Sequence, residues 1–118
     1  MKESILKQKT YTFALKVINV YKQIVFEHKE YVLSKQFLKS GTAPGALVRE
    51  AEYGQSKSDF ISKLSIALKE ANECEYWSCL LRDSDFISQA TAIDLLTDNI
   101  EIIKMLTASI NTTKTNLH

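Results

Sequence analysis

From Phe60 to Leu81 the chain sets Phe60, Leu64, Ala67, Ala71, Cys74, Ser78 and Leu81 at spacings of 4, 3, 4, 3, 4 and 3 residues. Side chains three and four apart share one face of an α-helix, so this is a heptad seam that no β-strand would use. The small residues in its middle let a neighbouring helix approach closely. Ile61, Leu68, Tyr76, Trp77 and Leu80 add apolar area outside the seam. Most of a helix's stability comes from packing such a face, so this one requires other helices to cover it. Ser56 or Ser58 is placed to cap its start, with Asp59 in the first turn.

The helical period recurs in three other stretches, and no Asn-Gly or Asp-Gly hairpin signal interrupts them. From about Thr10 to Lys29, Phe13, Val17, Val20 and Ile24 form one stripe, and Ala14, Ile18, Tyr21 and Val25 form a second beside it. A further helix opens near Tyr31 with Leu33, Phe37 and Leu38, then meets Ser40-Gly41-Thr42-Ala43-Pro44-Gly45. An interior proline lacks a donor and clashes with the preceding turn, so a kink or a break with a restart at Pro44 is predicted. Gly54 ends this rod. The last helix follows Arg82-Asp83-Ser84-Asp85, capped by Ser84 or Asp85. It carries Ile93, Leu96, Ile100, Ile103 and Ile110 on one stripe and Leu95, Ile102 and Leu106 on another.

Four rods joined by short turns give an all-α fold: an up-down-up-down antiparallel four-helix bundle with a kink or break near Gly41–Pro44. Residues 1–118 form a single domain, with 1–9 and 112–118 expected to fray. The chain is 118 residues long, 45% hydrophobic and 25% charged, with three glycines and one proline, which excludes collagen-like, disulfide-scaffold and disordered classes. No apolar run approaches the roughly 18 residues of a membrane-spanning helix, and the opening MKESILKQKT lacks the apolar core of a signal peptide. Cys74 and Cys79, five residues apart, sit about 140° apart on a helix and share neither a disulfide nor a metal. Two unpaired thiols and no leader point to the cytoplasm.

Chemistry-bearing groups are few. His28 and His118 stand without a motif and read as surface residues, so no catalytic residue is assigned. Di-metal bundles use Glu-x-x-His pairs, and none occurs in this chain; Glu50, Glu70 and Glu73 alone leave a metal short of ligands. No metal or cofactor is therefore expected. Arg49, Glu50, Glu70 and Glu73 read instead as a structural polar cluster where rods meet. The Gly41–Gly45 segment lacks a Gly-x-Gly-x-x-Gly pattern or a P-loop lysine and reads as close helix packing.

Two further features bear on partners. Helices one and four carry doubled apolar stripes, more than one bundle core requires of each helix. Tyr76, Trp77, Ile102 and Leu106 are the candidate contact between copies, with a partly buried core tryptophan as the plainer reading of Trp77. The net charge is +1, yet the first 40 residues hold eight lysines against three carboxylates. Lys16, Lys22, Lys29, Lys35 and Lys39 are candidate contacts to RNA or DNA, against the plainer reading of a solvated exterior.

The run from Lys35 to Ala51, KQFLKSGTAPGALVREA, resembles the signature of the bacterial four-helix-bundle proteins encoded within intervening sequences of large-subunit rRNA genes. The run from Gln55 to Trp77, QSKSDFISKLSIALKEANECEYW, matches that family's second signature. Family members often read Ser-Ile or Ser-Val where Ala43-Pro44 stands here. The resemblance spans nearly the whole chain. It implies a four-helix protomer assembled into a homopentameric ring, a biochemical role not established, and no catalytic residues. The accessory variability proteins of diversity-generating retroelements are related pentamers that bind nucleic acid, and they tend to be more basic than this chain. The expectation is thus a non-enzymatic, oligomeric interaction protein whose partner is itself, with RNA or DNA binding as the alternative and no membrane partner.

Overall fold

The computed structural model describes the backbone of residues 2–116 and the side chains of residues 5–116; Met1, Leu117 and His118 lie outside it. Four helices follow in order: α1 (Lys2–His28), α2 (Leu33–Glu52), α3 (Lys57–Asp83) and α4 (Gln89–Thr115). A 27-residue helix is about 40 Å long, and three such rods give the molecule its 51 × 21 × 20 Å extent. Each helix packs closely on two neighbours, with α4 closing back on α1 and the diagonal pairs standing further apart, as in an up-down-up-down bundle.

The core follows the predicted stripes on three helices. Phe13, Val17, Val20 and Ile24 are buried on α1, and Leu64, Ala67, Ala71, Cys74, Ser78 and Leu81 on α3. Phe37, Val48 and Ala51 come from α2. On α4 the buried line is Ala92, Leu95, Asn99, Ile102, Leu106 and Ile110, which follows the α3 alternation as far as Leu106 and then steps by four. Asn99 is the one amide in this core; its Nδ2 donates to the Ala71 carbonyl at 2.8 Å, while its Oδ1 has no partner among the described residues.

Two local expectations are corrected. No break occurs at Pro44, because α2 runs unbroken from Leu33 to Glu52. An interior proline costs about 3 kcal/mol, offset here by burial: Phe37, Gly41, Pro44, Gly45 and Val48 all face the core. A Cβ on Gly41 would lie 2.7 Å from both methyls of Val17, so α1 and α2 meet at van der Waals contact there. No restart means no exposed helix N-terminus at this point. The cap of α4 is Ser88, whose Oγ accepts from Thr91 N at 3.1 Å, and neither Ser84 nor Asp85. Asp85 instead takes a left-handed conformation (φ 64°), and Phe86 N donates to the Leu81 carbonyl at 2.9 Å, the bond that closes α3 in a Schellman motif. Helix α1 begins at Lys2 and α4 reaches Thr115, with Leu6 and Ile110 in the core; Met1, Leu117 and His118, where fraying is also expected, lie outside the described residues.

The other caps need side chains. Ser56 Oγ accepts from Asp59 N at 3.1 Å, as one of the two predicted caps for α3. Helix α2 has no hydroxyl or amide cap; the Glu30 carboxylate fills that role from the preceding turn. Its Oε2 accepts from Val32 N (2.8 Å) and Leu33 N (2.9 Å), and its Oε1 from Ser34 N (2.7 Å).

Candidate interaction surfaces

Thirteen residues are candidates on their sequence pattern, and the fold divides them. Ile102 and Leu106 are wholly buried within one protomer and form no outer contact, a correction to the expected interface. The α4 stripes exchange roles: Ile93 (61% exposed) and Ile100 (41%) face outward, with Leu96 and Ile103 half-buried between them. Tyr76 is exposed, its ring edge-on to Trp77 at a centroid distance of 5.0 Å, and Trp77 is half-buried against the core. The Asn99–Ala71 bond sets those two positions level. Ile93 and Ile100, seven residues apart on α4, share one outward face, whereas Tyr76 points away from the α3 core line with its ring against Trp77. Ile66, also exposed, lies on the α2-facing flank of α3.

The lysines divide too. Lys16 is engaged: its Nζ reaches Asp98 at 2.5 Å and Asp94 at 2.9 Å across the α1–α4 seam. Hydrogen bonds to Asp98 and then Asp94 hold its ammonium above the usual lysine range, against a smaller effect of burial. It is therefore withdrawn from the nucleic-acid candidates. Lys9 pairs with Glu101 across the same seam. Lys22, Lys29, Lys35 and Lys39 are exposed and make no ion pair among the described residues. Lys29 Nζ sits 5.6 Å from the centroid of the Phe26 ring.

The expected polar cluster does not assemble. Arg49 stacks over Tyr11 of α1 at 5.6 Å, whereas Glu50 pairs with Lys63 of α3 at 3.2 Å. Successive helical positions point about 100° apart, so Arg49 and Glu50 serve opposite seams. Glu70 and Glu73 join neither of them.

Burial pushes the Cys74 thiol up to about 12, against weaker opposing hydrogen bonds from Ser78 and Ser40. That thiol is chemically quiet; Cys79 is half-buried and also free. His28 is edge-on to Phe86 at 5.2 Å, and His118 lies outside the described residues. Among the described residues no three His, Cys, Asp or Glu side chains converge as metal ligands, and no helix is long and apolar enough to cross a membrane. A cleft of about 320 Å³ opens at the Gly54 end of the rod, walled by Ile5, Leu6, Val48, Phe60, Leu64 and Met105. Its one carboxylate, Glu52, pairs with Lys7 at 2.9 Å.

What this geometry defines is a four-helix bundle whose distinguishing features are on its outer faces rather than in a pocket of reactive groups. A family model described as 23S rRNA-intervening sequence protein matches residues 2–108. The chain belongs to that family. A solved structure, a protein of unknown function from the S23 ribosomal protein family of Bacteroides thetaiotaomicron, is 49% identical with a TM-score of 0.92, covering 94% of this chain and 99% of that one. No curated protein matches the chain.

Proposed function

We propose that this chain is a non-enzymatic interaction protein that works as a closed ring of identical copies, five as the family resemblance implies. The observation that carries the reading is the bare apolar edge of α4, Ile93 and Ile100 flanked by half-buried Leu96 and Ile103, with Tyr76 also exposed on α3. Apolar side chains grouped on one outer edge favour a partner that removes them from water, at about 25 cal/mol per Å² covered. A ring requires a second, different patch on each copy. Ile66, on the other flank of α3, supplies it. Native mass spectrometry at micromolar concentration is expected to give a mass five times 13.4 kDa; a monomer mass alone would overturn the reading.

A second reading, binding of RNA or DNA by the ring, is favoured by one further observation. Residues 1–55 carry nine cations against five carboxylates (+4), and residues 56–118 carry six against nine (−3). The near-neutral total conceals a positive α1–α2 half, and repetition around a ring would multiply weak binding. Retardation of structured rRNA fragments at 50 mM salt by micromolar protein is expected; its absence would remove this reading.

A further inference from the structure

We propose that the outer face of the α1–α2 hairpin binds single-stranded nucleic acid, with Phe26 and Tyr31 as stacking platforms and Lys22, Lys29 and Lys35 as phosphate contacts. This rests on the second reading above and specifies which form of nucleic acid is held, and by what.

The aromatic rings carry the first part. Phe26 is 78% exposed and Tyr31 54%, at the end of the rod where α1 turns into α2. Neither fills a core or a seam, and a bare ring suits a base that is free to stack on it. A duplex keeps its bases stacked inside and offers such rings nothing but backbone.

The cations carry the second part. Lys22 and Phe26 are spaced i and i+4 on one face of α1, and Lys29, one residue past the helix end, brings its Nζ to 5.6 Å from the Phe26 ring centroid. The carboxylates nearby are committed elsewhere. Glu30 caps α2 and Glu27 lies on the α4-facing flank beside Gln23 and Thr91, while Asp83, paired with Arg82, and Asp85 stand on the α3–α4 turn. Positive charge interleaved with exposed rings, with carboxylates turned away, is complementary to a flexible polyanion bearing π-faces. An anionic membrane surface fits less well, because an interfacial helix needs a broad continuous apolar face, and here polar Asn19, Lys22 and Gln23 intervene.

Lys29 supplies the third part. It adopts a left-handed conformation (φ 53°), with its N–H donating to the Val25 carbonyl at 3.1 Å in a helix-ending turn. Glycine is the residue that fits this conformation without strain. A lysine there trades backbone comfort for a cation held over the Phe26 ring.

The test is fluorescence anisotropy of the full-length protein with a labelled 20-mer of dT, the matching 20-bp duplex, and phosphatidylserine vesicles as the competing surface. Micromolar binding of the single strand is expected at 50 mM salt, tighter than the duplex. With three phosphate contacts it should weaken roughly 20-fold by 200 mM. Phe26→Ala and Tyr31→Ala should each weaken it about tenfold, while Lys69→Glu, on the far half, leaves it unchanged. Lys29→Gly should weaken binding while raising the melting temperature, a pairing that a merely structural lysine would not give. Equal or tighter duplex binding would overturn the single-strand assignment and leave the second reading intact. Absence of binding to both nucleic acids at 50 mM salt would overturn both. Preference for vesicles, or equal losses in Lys69→Glu, would overturn the assigned surface.

Discussion

Helix α1 is joined to its two neighbours by opposite means. Against α2 the contact is steric: Gly41 leaves no room for a Cβ beside Val17, and Gly45 comes within ordinary contact distance of Thr10. Against α4 the contact is ionic, with Lys16 bridging Asp94 and Asp98 and Lys9 meeting Glu101. Close packing fixes register and is indifferent to salt. Half-exposed ion pairs contribute little each and are screened. The first seam should thus behave as the fixed hinge of the bundle and the second as its adjustable edge.

The sharpest way to break this contrast is Gly41→Ala. The added methyl has no space against Val17, and overpacking should cost about 2 kcal/mol in denaturant unfolding. A neutral result would mean that the α1–α2 seam is soft. Next is Glu30→Ala, expected to cost about 1 kcal/mol as the loss of a helix cap. Burial alone would raise the Glu30 carboxyl, but N–H donation from Leu33, Ser34 and Val32 outweighs it and holds the group below the ordinary carboxylate range. A depressed folded value contributes stability above the unfolded one, and that stability is lost as pH falls through the folded value. Wild-type and Glu30→Ala stabilities should therefore converge in strong acid and differ at neutral pH, at low and high salt alike. Lys16→Met comes third, at about 0.5 kcal/mol in low salt and near zero in 1 M salt. Its raised folded pKa means the pairing is fully present at neutral pH and lost only in strongly alkaline solution. Smallest is Gly45→Ala, whose Cβ would sit 3.5 Å from the Thr10 carbonyl oxygen. It should stay within about 0.5 kcal/mol of wild type, helix propensity offsetting the crowding.

Spacing alone was enough to read four helices, the α3 seam and the α1 core stripe, because each rests on local periodicity. The α4 stripes were not separable in that way. Both recur at three and four residues, and the buried one contains Asn99, which looks polar until Ala71 is seen to supply its acceptor. Only the run of spacings 3, 4, 3, 4 and 4 from Ala92 to Ile110 marks the core line. Pro44 misled because its local cost was visible while the packing that offsets it involves residues of α1. Lys16 misled for a similar reason: its carboxylates stand on α4, about 80 residues further along the chain. The cap at Ser88 was displaced by the left-handed turn at Asp85, which residue type alone does not announce. On the outer surfaces, exposed lysines and aromatics were legible as types, and the fold was needed to show which of them share a face.

The claim that most depends on measurement is that other copies cover the bare edge of α4. Sedimentation equilibrium of the wild-type chain beside an Ile93→Lys/Ile100→Lys variant addresses it directly, with helicity checked by circular dichroism. The expected result is a wild-type mass near five times 13.4 kDa and a fully helical monomer for the variant. Equal masses for the two proteins, whether monomer or pentamer, would contradict it.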